Sequence, residues 1–168
     1  MKHTLVIGGT GMLFEVSKWL VEQGFRVSVV ARKPLQMDKL VEAVEQDSRL
    51  TPLLVDYTDN SSFREALKST LEKNGEIHTA VIWIHSYAKQ AIKILLEELS
   101  AYSLDVQLFH ILGSNAKLEK VKKAIEGFFN GTYHQVQLGF KIDRNHSRWL
   151  SEAEISEGII KAIIEKKR

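Results

Sequence analysis

The segment Gly8-Gly9-Thr10-Gly11-Met12-Leu13-Phe14 joins a short apolar run, Thr4 to Ile7, to a stretch carrying Leu13, Val16 and Leu20 at helical spacing. Glycines let a backbone approach an anion closely, and the first turn of the following helix offers unpaired N–H groups at the positive end of its dipole. A loop of this kind between a first strand and a first helix is where a dinucleotide pyrophosphate would rest, against Gly8, Gly9, Thr10, Gly11, Met12 and Leu13. Whether the loop is read from Gly9 or from Gly8, its third glycine place holds Phe14. That place normally serves close helix–strand packing, so a phenyl ring there either pushes the helix outward or is taken into the core. A glycine turn without a ligand is the plain alternative.

About twenty residues beyond such a loop, an acidic side chain would hold the ribose 2′-hydroxyl of NAD. This chain instead has Ala31-Arg32-Lys33. Two cations and no carboxylate favour a 2′-phosphate, and so NADP(H) over NAD(H). The competing reading of Arg32 and Lys33 is a solvated strand end. His85, after the fourth apolar run, carries an imidazole, the side chain most often used to exchange protons. It is a candidate acid/base or a hydrogen-bond donor to a ribose hydroxyl; a strand-end histidine satisfied by neighbouring backbone is the alternative.

Other chemistries are poorly supplied. The 168 residues contain no cysteine, which removes disulfides, thiolate metal sites and a cysteine nucleophile. The six histidines show no His-Glu-x-x-His or other close ligand pairing, so no metal site is expected. The glycine loop lacks the Gly-Lys-Ser/Thr ending of a nucleoside-triphosphate P-loop, and Gly113-Ser114 lacks the glycine pattern of a hydrolase elbow. A formal charge of +2 is too balanced to point to nucleic acid or an acidic membrane as partner. The basic face of Lys117 to Lys123 is that of an ordinary amphipathic helix. No apolar stretch approaches the ~18 residues that cross a bilayer, and the start of the chain is too weakly apolar for a signal peptide. A cytoplasmic protein is the expectation.

The elements that must position these residues follow from the periodicity. After the first strand and helix, stopped by Gly24, come a β-branched run from Phe25 to Ala31, a helix from Met37 to Glu45, and a short apolar run from Leu53 to Val55. Asp59 and Asn60 start a helix bearing Phe63, Leu67 and Leu71. Strands are expected at Ala80 to Ile84, Val106 to Leu112 and His134 to Phe140, separated by helices bearing Ala91, Leu95 and Leu99, then Leu118, Val121 and Ile125. Ser151 and Glu154 have capping-box spacing ahead of Ile155, Ile159 and Ile163. Near-continuous apolar strands alternating with helices mean a doubly wound parallel sheet covered on both faces. The expected fold is α/β: one Rossmann-like domain spanning residues 1–168, about six strands in the order 3-2-1-4-5-6, with the ligand at the switch point between strands 1 and 4. Lys141 to Leu150 is read as a connection, in which Arg144, His146 and Arg148 either meet an anionic group or are simply solvated. The helix from Tyr87 to Leu99 has more apolar positions than one sheet contact needs, through a homodimer face or through burial on all sides.

Taken together, these residues resemble the short-chain dehydrogenase/reductase superfamily over most of the chain. Gly8 and Gly11 are similar to the family's cofactor loop, Arg32 to its NADP-selecting arginine, and Asp56-Tyr57-Thr58-Asp59 to its Asp-x-Thr-Asp segment after strand three. Trp149-Leu150-Ser151-Glu152-Ala153-Glu154-Ile155 resembles the start of the family's last helix. The resemblance implies cofactor contacts from Asp56, with its neighbour Tyr57, the former at the adenine. It places Ser114 where the family has a catalytic serine, although a serine there also suits a helix cap. The family dimerises through the helix equivalent to Tyr87–Leu99.

The catalytic half departs from that pattern. Family chemistry depends on Tyr-x-x-x-Lys, in which the lysine lowers the tyrosine's pKa. The residues four places after Tyr57, Tyr87, Tyr102 and Tyr133 are Ser61, Ala91, Val106 and Gln137. The Asn-Asn-Ala-Gly expected after strand four is Trp83-Ile84-His85-Ser86, and Tyr87 with Lys89 would sit on different helix faces. The segment that would cover a substrate is short. Two readings follow: an NADP(H)-binding sensor, regulator or accessory protein without the usual catalytic pair, or a diverged NADP-dependent oxidoreductase in which His85 or Ser114 polarises a small carbonyl.

Overall fold

The computed structural model describes residues 2–8, 10–143 and 146–166, with the side chains of 140–149 excepted. Strands β1 (His3–Ile7), β2 (Arg26–Ala31), β3 (Leu50–Leu54), β4 (Thr79–Ile82), β5 (Gln107–Leu112) and β6 (Thr132–Gln137) form one parallel sheet in the order β3-β2-β1-β4-β5-β6. Helices α1 (Phe14–Glu22), α2 (Pro34–Ala43), α3 (Asn60–Asn74), α4 (Lys89–Tyr102), α5 (Leu118–Glu126) and α6 (Glu152–Lys166) cover it. This is the α/β architecture that the alternation of apolar runs requires.

The sheet is buried on both faces because successive side chains along each strand feed two different cores. Leu5, Ile7, Ala80, Ile82 and Leu108 pack beneath Phe63 and Leu67 of α3, Leu95 and Leu99 of α4, and Ile125 of α5. Val6, Val27, Val29, Val81, Phe109 and Ile111 pack beneath Val16 and Leu20 of α1, Met37 and Leu40 of α2, and Ile159 and Ile163 of α6. The central strands β1 and β4 are buried throughout, while β3 and β6 are partly exposed edges. Pro52 is tolerated in β3 because an edge strand need not donate from both sides.

Side-chain caps set the starts of α3 and α6. The Asp59 carboxylate accepts the N–H of Ser62 at 3.2 Å as the N-cap of α3. Ser151 and Glu154 form a reciprocal capping box, the Ser151 N–H donating to Glu154 Oε1 at 2.9 Å and the Glu154 N–H to Ser151 Oγ at 3.2 Å. A buried polar chain also ties α3 to the sheet: the His3 ring meets Ser28 Oγ at 2.7 Å, Ser28 meets Thr70 Oγ1 at 2.5 Å, and Asn74 donates to Thr70 at 2.9 Å.

Two expectations need correction. The strand expected from His134 to Phe140 ends at Gln137, and the connection expected from Lys141 to Leu150 contains an antiparallel pair, β7 (Phe140–Asp143) and β8 (His146–Trp149), with Phe140 paired to Trp149 and Asp143 to His146. The alternation Phe140-Lys141-Ile142-Asp143 has the strand period, but four residues carry too little of it to stand out from a loop. The helix expected from Tyr87 to Leu99 runs from Lys89 to Tyr102. Ala91, Ile94, Leu95, Leu96 and Leu99 are all buried, and Ile92 packs half-buried against the same core.

Candidate functional site

An open cleft of about 230 Å³ lies at the carboxyl ends of the first four strands, where the strand order reverses. The loop after β1 forms its floor. Gly8 takes φ +89°, a conformation that favours glycine, and its N–H donates to Val30 O at 3.2 Å. A Cβ there would lie 3.3 Å from Trp83 Cβ. Gly11 lines the cleft, and among the described residues a Cβ there would meet no atom within 4 Å beyond its chain neighbours. Helix α1 starts at Phe14 with no side-chain cap, and the Phe14 N–H donates to Gly11 O at 3.0 Å. Phe14 itself packs half-buried against the core beneath α1, the second of the outcomes expected for a phenyl ring in the third glycine place.

The ends of β2 and β3 supply the charged part. Arg32, whose side chain is 63% exposed, stands 3.9 Å from the Asp56 carboxylate. Lys33 caps α2 with an extended backbone, and Pro34 begins that helix. Asp56 Oδ1 accepts both the N–H (2.9 Å) and the hydroxyl (2.7 Å) of Thr58. These two bonds, the hydroxyl's first, hold the Asp56 carboxyl below the usual aspartate range, with Arg32 adding a smaller push in the same direction.

An aromatic wall completes the site. Tyr57 accepts the backbone N–H of His85 at 3.1 Å and meets Phe63 edge-on, ring centres 6.4 Å apart. The His85 ring stacks on Tyr87 at 5.3 Å with the planes 8° apart, and meets Trp83 edge-on at 6.3 Å. Burial pushes the Tyr57 phenol above its ordinary value, so it is a neutral acceptor at physiological pH.

Of the residues singled out in the sequence, Gly8, Thr10, Gly11, Met12, Arg32, Lys33, Asp56, Tyr57 and His85 all line this one cleft. Leu13 does not: its side chain is fully buried in the core. Ser114 is also outside the cleft lining, and it does not cap α5, whose N-cap is Lys117, three residues on. The Ser114 carbonyl instead accepts the Gln137 side-chain amide at 3.3 Å. Gly9 and Arg144 lie outside the described residues, as do the side chains of His146 and Arg148. Sequence reasoning passed over Gln36, which lines the cleft one turn into the helix that opens at Lys33; a polar residue three places after an N-cap is the faint signal for it. Tyr87, whose spacing to Lys89 argues against a Tyr/Lys pair, lines the cleft as the stacking partner of His85. Among the described residues, no group of three His, Asp or Glu side chains is arranged to hold a metal ion, and no helix is long and apolar enough to cross a membrane.

No family model matches the chain, and no curated protein matches it. Solved structures do. A short-chain dehydrogenase from Streptomyces avermitilis superposes with a TM-score of 0.71 at 14% identity, covering 99% of this chain and 84% of that one. A short-chain dehydrogenase/reductase from Serratia marcescens gives 0.60 at 16% identity over 69% of this chain, and the match spans 57% of that enzyme's length. YwfH, an NADPH dependent reductase involved in bacilysin biosynthesis, gives 0.59 at 12% identity, covering 67% of this chain and 55% of that one. The chain therefore has the fold of the short-chain dehydrogenase/reductases.

Proposed function

We propose that residues 1–168 act as one dinucleotide-binding domain, diverged from the short-chain dehydrogenase/reductases, that holds NADP(H) in preference to NAD(H). The observation that carries this reading is the meeting of the glycine loop, Arg32, Lys33 and Asp56 in one cleft at the switch point of the sheet. The residues fit the group: the loop leaves room over Gly11, the uncapped start of α1 suits the pyrophosphate, and Arg32 with Lys33 suits a 2′-phosphate. Asp56 and Tyr57 would contact the adenosine part. When bound, such a cofactor supplies hydride transfer. The chain's own residues are poorly equipped to move the matching proton, because no tyrosine is followed four places later by lysine. A sensor, regulator or accessory subunit is the role this combination supports best.

His85 favours a second reading, since it is the one titratable imidazole that lines the cleft among the described residues. In that reading the chain is a diverged NADP-dependent reductase, with His85 donating a hydrogen bond to a small carbonyl. Following NADPH absorbance with a panel of aldehydes, ketones and quinones separates the two. The first reading expects no oxidation above the protein-free rate. Oxidation that His85→Ala abolishes would replace it with the second.

A further inference from the structure

A doubly wound sheet offers two mononucleotide-binding halves, one on each side of the point where the strand order reverses. The described lining of this cleft runs from Gly8 to Tyr87 and draws on the ends of β1, β2, β3 and β4. None of the described lining residues comes from the ends of β5 or β6. Trp83 stands at the switch point. Its N–H donates to Ile7 O at 3.0 Å, which sets it beside the glycine loop, and its Cβ and Cδ1 approach within 3.3 and 3.5 Å of the place a Cβ on Gly8 would take. The half-buried indole packs against the core cluster that contains Phe109 and Ile111 of β5. Trp83 thus stands against both the glycine loop and that core, where the described cleft lining stops short of β5.

His85 and Tyr87 continue that wall outward as a stacked pair, and Tyr57 is hydrogen-bonded to it. Such a surface suits the face of a purine. Arg32 and Lys33 line the same space, and the carboxylate there, Asp56, already accepts two hydrogen bonds from Thr58. The cleft's volume of about 230 Å³ falls below the roughly 300 Å³ at which pockets for drug-sized ligands begin, enough for part of a dinucleotide.

We infer that the cleft is a site for the adenosine half alone: its ligand class is an adenosine 5′-phosphate carrying a second phosphate on the ribose, and whatever extends from the 5′ side stays outside the protein. This rests on the NADP(H) reading above and narrows it. NADP(H) would be held by its adenosine end with the nicotinamide free, which also accounts for a dinucleotide fold without the usual proton-transfer pair.

Calorimetric titration of the full chain with adenosine 2′,5′-bisphosphate, adenosine 3′,5′-bisphosphate and NADPH tests it. Adenosine 2′,5′-bisphosphate is expected to bind within about tenfold of NADPH and more tightly than the 3′,5′ isomer; a tighter 3′,5′ isomer would overturn the NADP(H) reading with the inference. NADPH binding more than about tenfold tighter than both bisphosphates would overturn the inference and leave the NADP(H) reading standing. Absence of binding by all three at about 1 mM would overturn both. In proton spectra of the NADP⁺ mixture, the adenine resonances are expected to broaden while the nicotinamide resonances stay sharp; equal broadening of both would also overturn it.

Discussion

The phenol oxygen of Tyr57 accepts the backbone N–H of His85 across 3.1 Å, tying the segment after β3 to the segment after β4 over the mouth of the cleft. Tyr57→Phe keeps the ring and its edge contact with Phe63 but removes the acceptor. Because the His85 N–H is near solvent, water replaces the lost partner, and the cost to stability is expected to stay at or below about 1 kcal/mol in urea unfolding. Binding of NADPH should weaken by about threefold through loss of a fixed wall, read by titration of the variant against the parent protein.

The proposed cofactor preference rests on Arg32. Its ion pair with Asp56 is long and largely exposed, so Arg32→Ala should leave the unfolding midpoint unchanged. The same change should weaken NADPH by about tenfold or more while NADH moves by less than about twofold, since only NADPH carries the 2′-phosphate. Equal losses for the two would place Arg32 away from the ribose.

Away from the cleft, the stability of the fold should depend on pH through buried histidine. Burial pushes the His110 imidazole, 2.7 Å from the Tyr133 hydroxyl, down to about 4 from its ordinary 6.5. Between these values the unfolded chain binds a proton that the folded chain refuses, so stability rises with pH across the window. It is fully present above 6.5 and is lost as the pH falls toward 4, by up to about 3 kcal/mol. His110→Asn retains a polar atom near Tyr133 and does not titrate, so it should flatten the pH dependence of the urea midpoint. Burial lowers His3 and His134 as well, with the same sign, and the slope should shrink without vanishing.

On the α3–α4 surface, Arg64 donates to Glu98 Oε1 at 2.7 Å and to Glu97 at 2.8 Å, while the Glu98 side chain is only 5% exposed and its other oxygen has no partner. Arg64→Met strands that carboxylate. A lowered urea midpoint is expected, by less than for a fully buried pair because Arg64 is itself partly in water. Adding Glu98→Leu should recover most of it in chemical denaturation, as an apolar pair replaces a compensated charge.

Much of the architecture was legible because it rests on strong, repeated signals. Strands buried on both faces must be continuous apolar runs, so β1, β2, β4 and β5 announced themselves, and with them the switch point. The glycine loop, Arg32 and Asp56 were legible because a doubly wound sheet brings the ends of its strands together. What escaped depends on side-chain direction. Leu13 belongs to the glycine loop by position but to the apolar face of α1 by its spacing with Val16 and Leu20, and the second signal decides: its side chain enters the core. Ser114 follows β5 as expected, but the lining of the cleft ends at the β4 segment, where Trp83 stands beside Gly8. The β7–β8 pair escaped because a hairpin of four-residue strands is specified by its cross-strand contacts more than by its period.

The central claim is that the cleft at the switch point takes NADP(H), and side-by-side calorimetric titration of the chain with NADPH and NADH tests it most directly. The account expects a saturable heat with NADPH and binding of NADH weaker by about tenfold or more. No saturable heat with either at about 1 mM would contradict it, and NADH bound as tightly as NADPH would contradict the role given to Arg32 and Lys33.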